Sequence, residues 1–398
     1  MQRRADVPRL GSLEPSARAV VRALLLAGPL SRAELARRLE RSPASITKTT
    51  QPLLAAGLVA EDAGRIAEEA TAPGESRGRP GLPLVLQAGR HLFIGVKVTS
   101  DEVFAVRTDA TGLVQASGHR DLADVEQETV VGQILELVNE LREPGEIQAL
   151  GVGLAGRMSR FDDTVRHNPF LGWDQVPLAG ILERATGIPT VLSEDARALT
   201  AGVQWSGPGR GMSDLAVLTV GVGVGLGIVI EDRVLAGPSG RVGRIGHMRV
   251  ADSGPVCERG HRGCASAFLT TAAITQGVGV PRGRADLDLD AALALADGGD
   301  AVALRVFADA GHALGVLIAQ LANTLGLPAV ILAGDGLGML AHARPSLDAA
   351  LADHLDPNAT RPTVVAFSSG FDEWARGAAV VACQWMLVDP PPHRTDLA

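Results

Sequence analysis

The stretch from Ser31 to Gly57, "SRAELARRLERSPASITKTTQPLLAAG", fixes two helices and a turn too short to let them separate. Ser31 followed three residues later by Glu34 is a capping box, in which each side chain satisfies a backbone N–H at the helix start. Leu35 and Leu39 then fall on one face. Ser42 is a second N-cap, and Pro43, which lacks an amide hydrogen, suits the first helical position. Ile46 and Leu53 share the inward face of this helix and Gly57 closes it. An earlier helix is expected from about Pro15 to Ala27, where Val20, Val21, Leu24 and Leu25 recur at helical spacing before "GP". Pro52 lies inside the third helix, costs about 3 kcal/mol there and predicts a kink.

Two strands follow, "LVAED" and, after a loop, "LPLVL". Three helices with a tight second turn and a β-wing make a winged helix-turn-helix. The apolar positions of the third helix leave Ser45, Thr47, Lys48 and Gln51 outward, with Ser42 at its start, so hydroxyl, amine and amide groups can meet phosphates and base edges. The other reading is a solvated polar face on a three-helix domain. Between the strands, Arg77-Gly78-Arg79-Pro80 resembles the core of an AT-hook, whose arginines enter a narrow minor groove; a basic flexible linker is the alternative. Residues 1–90 hold 13 Arg and one Lys against nine acids, a net of +5; with −8 for the whole chain, the remainder carries −13. A basic module on an acidic body fits a nucleic-acid reader joined to something else.

A length of 398 residues, 46% hydrophobic and 21% charged, suits two or three globular domains. Three cysteines make no disulfide framework, and the apolar run "VVRALLLAG" is broken by Arg22 with no cleavage-like end, so a cytoplasmic setting without export is expected. "LAVLTVGVGVGLGIVI", Leu215–Ile230, is too short to span a bilayer and has glycine at every second position from Gly221 to Gly227, which fits a hairpin in a soluble core. No membrane partner is expected. From residue 88 the pattern becomes three strands over "HLFIGVKVTSDEVFAVRTDATGLVQAS" and an amphipathic helix in "ETVVGQILELVNELRE". A second β-rich start at Leu215 suggests a duplicated α/β body.

From Leu92 onward the chain resembles the ROK family of repressors and sugar kinases. The resemblance rests on "LGVGLAGRM" (150–158), "HNPFLGWDQVPL", "VLSEDARALTAG", the glycine ladder from Gly221, "GRIGHM", the cysteine cluster, "VILAGDG" and "ARGAAVVA", in the family's order. It implies an α/β fold class: an actin-like (ASKHA) two-lobed ROK body behind the winged helix. The domains are then expected at 1–73 (winged helix), 74–87 (basic linker and second wing strand), 88–200 (first lobe, joined by a returning helix at 371–398) and 201–370 (second lobe).

The resemblance also identifies departures. Family kinases hold ATP with an Asp-x-Gly-Gly-Thr loop after the first strand; here Lys97 replaces the acid, and Thr99 and Ser100 replace the glycines, which crowds a nucleotide and removes the metal-placing carboxylate. In the second loop Val222 stands for a threonine and Leu226 for a glycine, while Asp195 matches the catalytic base. A base without bound ATP transfers nothing, so no ATP and no enzyme activity are expected. The implied effector pocket comprises Gly156, Arg157, Asn168, Glu194, Asp195, Arg244 and His247, with Arg244 and Ser266 where sugar-binding members carry glutamates. Loss of both acceptors disfavours a neutral hexose, and a buried Arg244 would either pair with Glu194 or receive an anionic sugar derivative. The family's structural zinc uses His-x9-Cys-x-Cys-x4-Cys. His247, Cys257 and Cys264 match, Arg259 takes the middle position, and His261 offers a fourth ligand; otherwise the site has decayed.

The expected protein is a DNA-binding regulator, a repressor acting as a homodimer or higher oligomer on double-stranded operator DNA and sensing a small carbohydrate-related effector. An active sugar kinase, and a regulator whose body is only an oligomerisation scaffold, are the alternatives.

Overall fold

The computed structural model describes residues 10–62, 82–142, 145–158, 164–235, 242–368 and 370–388. Chain contacts divide it into two units, residues 1–211 with 372–398, and residues 212–371.

The first unit opens with α1 (Pro15–Ala27), α2 (Arg32–Arg38) and α3 (Pro43–Ala55). The capping box forms in both directions: Glu34 N–H donates to Ser31 Oγ at 3.2 Å, and Ser31 N–H to Glu34 Oε2 at 2.7 Å. Ser42 Oγ accepts the Ser45 N–H at 3.2 Å. Helix α3 continues past Pro52 to Ala55, and Pro52's own carbonyl accepts from Ala56. β1 (Val59–Glu61) pairs antiparallel with β2 (Leu84–Leu86), and Leu30 adds a single rung on the other edge of β2 by exchanging two backbone hydrogen bonds with Leu84. That rung was not expected; a single residue after "GP" leaves no strand pattern to read. Val20, Val21, Leu24, Leu35, Ile46, Leu53, Leu58 and Leu84 close a core between the three helices and the wing sheet. Arg77 and Arg79 lie outside the described residues.

The same unit continues into a five-stranded sheet of β3 (Leu92–Val98), β4 (Glu102–Thr108), β5 (Val114–Asp121), β6 (Ile147–Leu154) and β10 (Thr190–Glu194), in the order β10-β6-β3-β4-β5. β3, β4 and β5 form an antiparallel meander, and β6 and β10 add in parallel on the other side of β3. Between β6 and β10 the chain forms a small antiparallel sheet, β7 (Arg157–Met158), β8 (Val165–Asn168) and β9 (Trp173–Val176), and helix α5 (Leu178–Thr186). Helix α4 (Gln127–Leu141) covers one face of the five-stranded sheet with Val130, Ile134, Leu137 and Val138. The other face receives α6 (Asp195–Ser206) and the C-terminal helix α12 (Phe371–Val388). Contact is backbone-close: a Cβ at Gly95 or Gly151 would lie 1.9 Å from a carbonyl oxygen of α12. The division falls at 211/212, so the whole of α6 stays in the first unit, where its Gly202 packs closely on Gly377 of α12.

The winged helix is tied to this sheet. Leu10, fully buried, donates its N–H to Gln148 Oε1 of β6 at 3.0 Å. His91 beside it is fully buried, and burial, opposed in part by the Gln148 carboxamide, lowers its pKa to about 4.

The second unit repeats the plan. β11 (Leu215–Val220), β12 (Val224–Ile230) and β13 (Arg233–Val234) form a meander, and β14 (Ala329–Ala333) and β15 (Thr363–Ala366) add in parallel beyond β11, giving β13-β12-β11-β14-β15. Matching strand order and sense in both sheets is what a duplicated body requires. Its helices are α7 (Ala265–Leu269), α8 (Thr271–Gly279), α9 (Leu289–Asp297), α10 (Ala301–Leu325) and α11 (Leu340–His354). Among the described residues one helix, α10, is long and apolar enough to cross a membrane; here its Phe307, Leu314, Leu317 and Ile318 are buried in the unit's own core.

Candidate functional site

On α3, Ser42, Thr47, Lys48 and Gln51 are exposed, and Ser45 is half-buried. Thr47 Oγ donates to the Pro43 carbonyl at 3.0 Å, which leaves its lone pairs and methyl outward. Ser45 therefore contributes less to this face than its spacing suggested. Lys48 carries the face's only cation among the described residues of α3.

At the carboxyl ends of the three parallel strands β3, β6 and β10 stands a second group, the edge where open α/β sheets receive ligands. Leu154 of β6 pairs with Glu194 of β10, which places the Gly156–Arg157 turn beside Glu194 and Asp195. Gly156 has φ 112° and a Cβ there would lie 2.2 Å from the His167 carbonyl oxygen, so only glycine fits. Asn168, 2% exposed, accepts the N–H groups of Phe170 and Leu171 and so shapes the following loop. Arg157 is exposed.

Lys97, at the end of β3 and 5% exposed, places Nζ 2.8 Å from Asp195 Oδ2 and 5.2 Å from the centroid of the Trp374 ring. Asp195 Oδ1 accepts the Ala196 N–H at 2.8 Å. Both oxygens of this carboxylate are thus engaged. In the loop after β3, Thr99 Oγ accepts from the N–H groups of Asp101 and Glu102, and Thr99 N–H donates to the Glu102 carbonyl. Three amides that could cradle phosphate are spent within the loop. The spacing exposed the substitutions, but not the ion pair, whose partners are separated by 98 residues.

In the second unit, the hairpin turn at Gly221–Gly223, which leads into β12 with Gly225 and Gly227, is followed by Arg244 and His247, both exposed. The expectation of a buried Arg244 fails: its segment runs as loop from Val242 to Gly246, and the guanidinium faces solvent, where no desolvation forces a partner on it. Asp335, after β14, places its carboxylate against Gly221 of the glycine turn.

His247, Cys257, His261 and Cys264 offer ligand atoms that all lie within 4.8 Å of one another. His247 Nδ1 stands 3.7 Å from Cys257 Sγ and 3.8 Å from Cys264 Sγ. A tetrahedral zinc with ordinary bond lengths separates a nitrogen and a sulfur ligand by about 3.6 Å, so the donor set fits zinc. Tight turns hold the loop: Val250 and Ala251 donate to the Gly263 carbonyl and Cys257 to that of His261. Burial, with His261 and Arg259 alongside, lowers the His247 pKa. For Cys257, burial is outweighed by the N–H groups of Arg259 and His261 and the neighbouring Cys264, which lower its pKa, whereas burial raises that of Cys264.

Three N-terminal helices with a small β-sheet, consistent with a winged helix-turn-helix, ahead of a duplicated sheet with a Cys/His cluster define a class: α/β proteins with an actin-like body. The ROK family profile matches residues 93–384, and the chain belongs to the ROK family. It is 27% identical to the DNA-binding transcriptional dual regulator NagC of Escherichia coli over 331 residues, 80% of this chain and 79% of that one. It is 35% identical to a glucokinase of Thermotoga maritima over 175 residues, 42% of this chain and 55% of the enzyme, so it spans about half of that relative. Among solved structures, a ROK family transcriptional regulator, homologue of E. coli MLC protein, superposes with TM-score 0.77 at 23% identity, covering 94% of this chain and 96% of that one.

Proposed function

We propose that this protein is a transcriptional repressor that binds double-stranded operator DNA through α3 and its wing, and whose ROK body senses a sugar-derived effector without phosphorylating it. The observation that carries this reading is the Lys97–Asp195 ion pair beneath Trp374. A general base must be free to take a proton from the attacking hydroxyl, and a carboxylate bound on one oxygen by a buried ammonium and on the other by a backbone amide is poorly placed for that. The internally bonded Thr99 loop and the Asp335 carboxylate beside Gly221 both work against a polyphosphate. The relationship to NagC over most of both chains supports regulation, and the relationship to a glucokinase keeps kinase activity as the alternative.

The effector reading follows from charge. Arg157 and Arg244 are each exposed cations at positions that the family resemblance assigns to an effector site, and Arg244 and Ser266 stand where that resemblance expects carboxylates. An anionic sugar derivative, a sugar phosphate or sugar acid, suits guanidinium groups better than a neutral hexose. His247, Cys257, His261 and Cys264 would hold a structural zinc that fixes the loop following Arg244. A homodimer would present two α3 helices to a palindromic operator.

Incubation with ATP and a panel of hexoses, followed by detection of sugar phosphate, tests the absence of phosphoryl transfer. The expected result is none above background; clear turnover overturns it.

A further inference from the structure

Helix α2 and the first residues of α3 enclose a shallow groove lined by Ala33, Ala36, Arg37, Glu40, Arg41 and Pro43. Three of these, Ala33, Ala36 and Arg37, fall at i, i+3 and i+4 on one stripe of α2, and Glu40 and Arg41 lie in the turn that follows it. The alanines make a floor without bulk, so an extended ligand can approach the helix backbone. Arg37 and Arg41 are both exposed, and among the described residues no carboxylate lies within ion-pair distance of either. By contrast Arg32, on the same helix, is paired with Glu61 at 2.7 Å.

The groove is continuous with the DNA-reading face. Pro43 at its rim, Thr47 and Gln51 follow at i, i+4 and i+8 along α3, so a strand lying over that stripe runs into the groove. Glu40 sits in the turn with φ 51°, a left-handed conformation that is unfavourable for a glutamate, and its carboxylate belongs to the same lining. Two guanidinium groups against one carboxylate leave a net positive groove in a module that is itself basic.

We propose that this groove seats the sugar–phosphate backbone of bound DNA, with Arg37 and Arg41 each neutralising a phosphate and Glu40 limiting how tightly any sequence is held. The proposal rests on the DNA-binding reading above and deepens it: Arg37 and Arg41 supply affinity without sequence preference, while α3 reads bases. Guanidinium forks suit phosphate oxygens, and the alanine floor accommodates a deoxyribose ring. A second protein is the competing occupant; it would give no dependence on DNA length or salt.

The test uses the full-length protein, a random-sequence duplex three helical turns long, and fluorescence anisotropy across a salt series. Arg37→Ala and Arg41→Ala should each lower the slope of log Kobs against log salt by about 0.9, and the double variant by about 1.8. Glu40→Gln should tighten binding at every salt concentration, and Arg37→Lys should retain the slope. Thermal unfolding of each variant, unchanged from the parent, excludes a folding defect as the cause; should Arg37→Ala unfold early, Arg37→Gln takes its place. A double variant with the parental slope overturns the proposal while leaving DNA binding intact. Failure of the unmodified protein to bind the duplex at all overturns the DNA-binding reading as well.

Discussion

Lys97→Met removes the ammonium and keeps a flexible side chain of similar volume, so it tests charge rather than packing. Lys97 is 5% exposed, whereas one fifth of the Asp195 side chain reaches solvent. Deleting one partner of a buried ion pair costs roughly 3–5 kcal/mol because the other charge stays behind. Asp195 retains the Ala196 N–H and some water, which puts the cost near the lower bound, about 3 kcal/mol. Loss of the cation over Trp374 adds about 0.5–1 kcal/mol. Asp195→Asn in the same chain removes the stranded charge and should recover at least about 2 kcal/mol. All four tryptophans, Trp173, Trp205, Trp374 and Trp385, belong to the first unit, so intrinsic fluorescence during urea unfolding reports on that unit alone. A loss below about 0.5 kcal/mol in Lys97→Met, or a double variant no more stable than the single, would refute the argument that this pair is a structural lock.

Three further outcomes follow from the same geometry. His91 has its pKa lowered to about 4 from an ordinary 6.5, so it is neutral in the fold and the unfolded chain binds the proton first. Its contribution is complete above pH 6.5 and is lost as pH falls toward 4; between pH 7 and 4.5 the parent should lose about 2–3 kcal/mol more stability than His91→Leu, and equal pH dependence would contradict the assignment. Purified protein should contain about one zinc per chain by elemental analysis, and His261→Ala should lose most of it; metal-free parent protein that is fully folded would indicate a decayed site. In calorimetric titrations glucose 6-phosphate or gluconate should bind more tightly than glucose or N-acetylglucosamine, and Arg244→Glu should reverse the preference; tight binding of a neutral sugar by the parent sinks the charge argument.

The three N-terminal helices were legible because their signals are local. Ser31 with Glu34, and Ser42 with Pro43, each specify a helix start within four residues, and the structure forms both caps. The duplicated body was legible because β3 and β11 begin equivalent patterns, though the shared strand order emerges only from hydrogen-bond pairing. His261 could be named as a candidate fourth ligand because Cys257, His261 and Cys264 share one short loop, and its donor atom lies within 4.8 Å of the other three. What escaped depends on distant partners. Lys97 reads as a lost acid, but its contact with Asp195 and Trp374 depends on α6 and α12 meeting one end of β3. The Leu30 rung and the Leu10–Gln148 hydrogen bond are single-residue pairings without periodicity. Arg244 was misjudged as buried because a family position says nothing of how a loop presents its side chain.

Under the proposed function, α3 reads DNA sequence. Its most direct measurement is selection of bound duplexes from a fully random pool, with the parent and Lys48→Ala carried in parallel. The account predicts that the parent enriches an inverted repeat whose half-sites lie about one helical turn apart, and that Lys48→Ala enriches the same repeat with uniformly weaker affinity and a salt slope lower by about 0.9. A parent that enriches no sequence would contradict the claim, and so would a Lys48→Ala variant indistinguishable from it in affinity and slope.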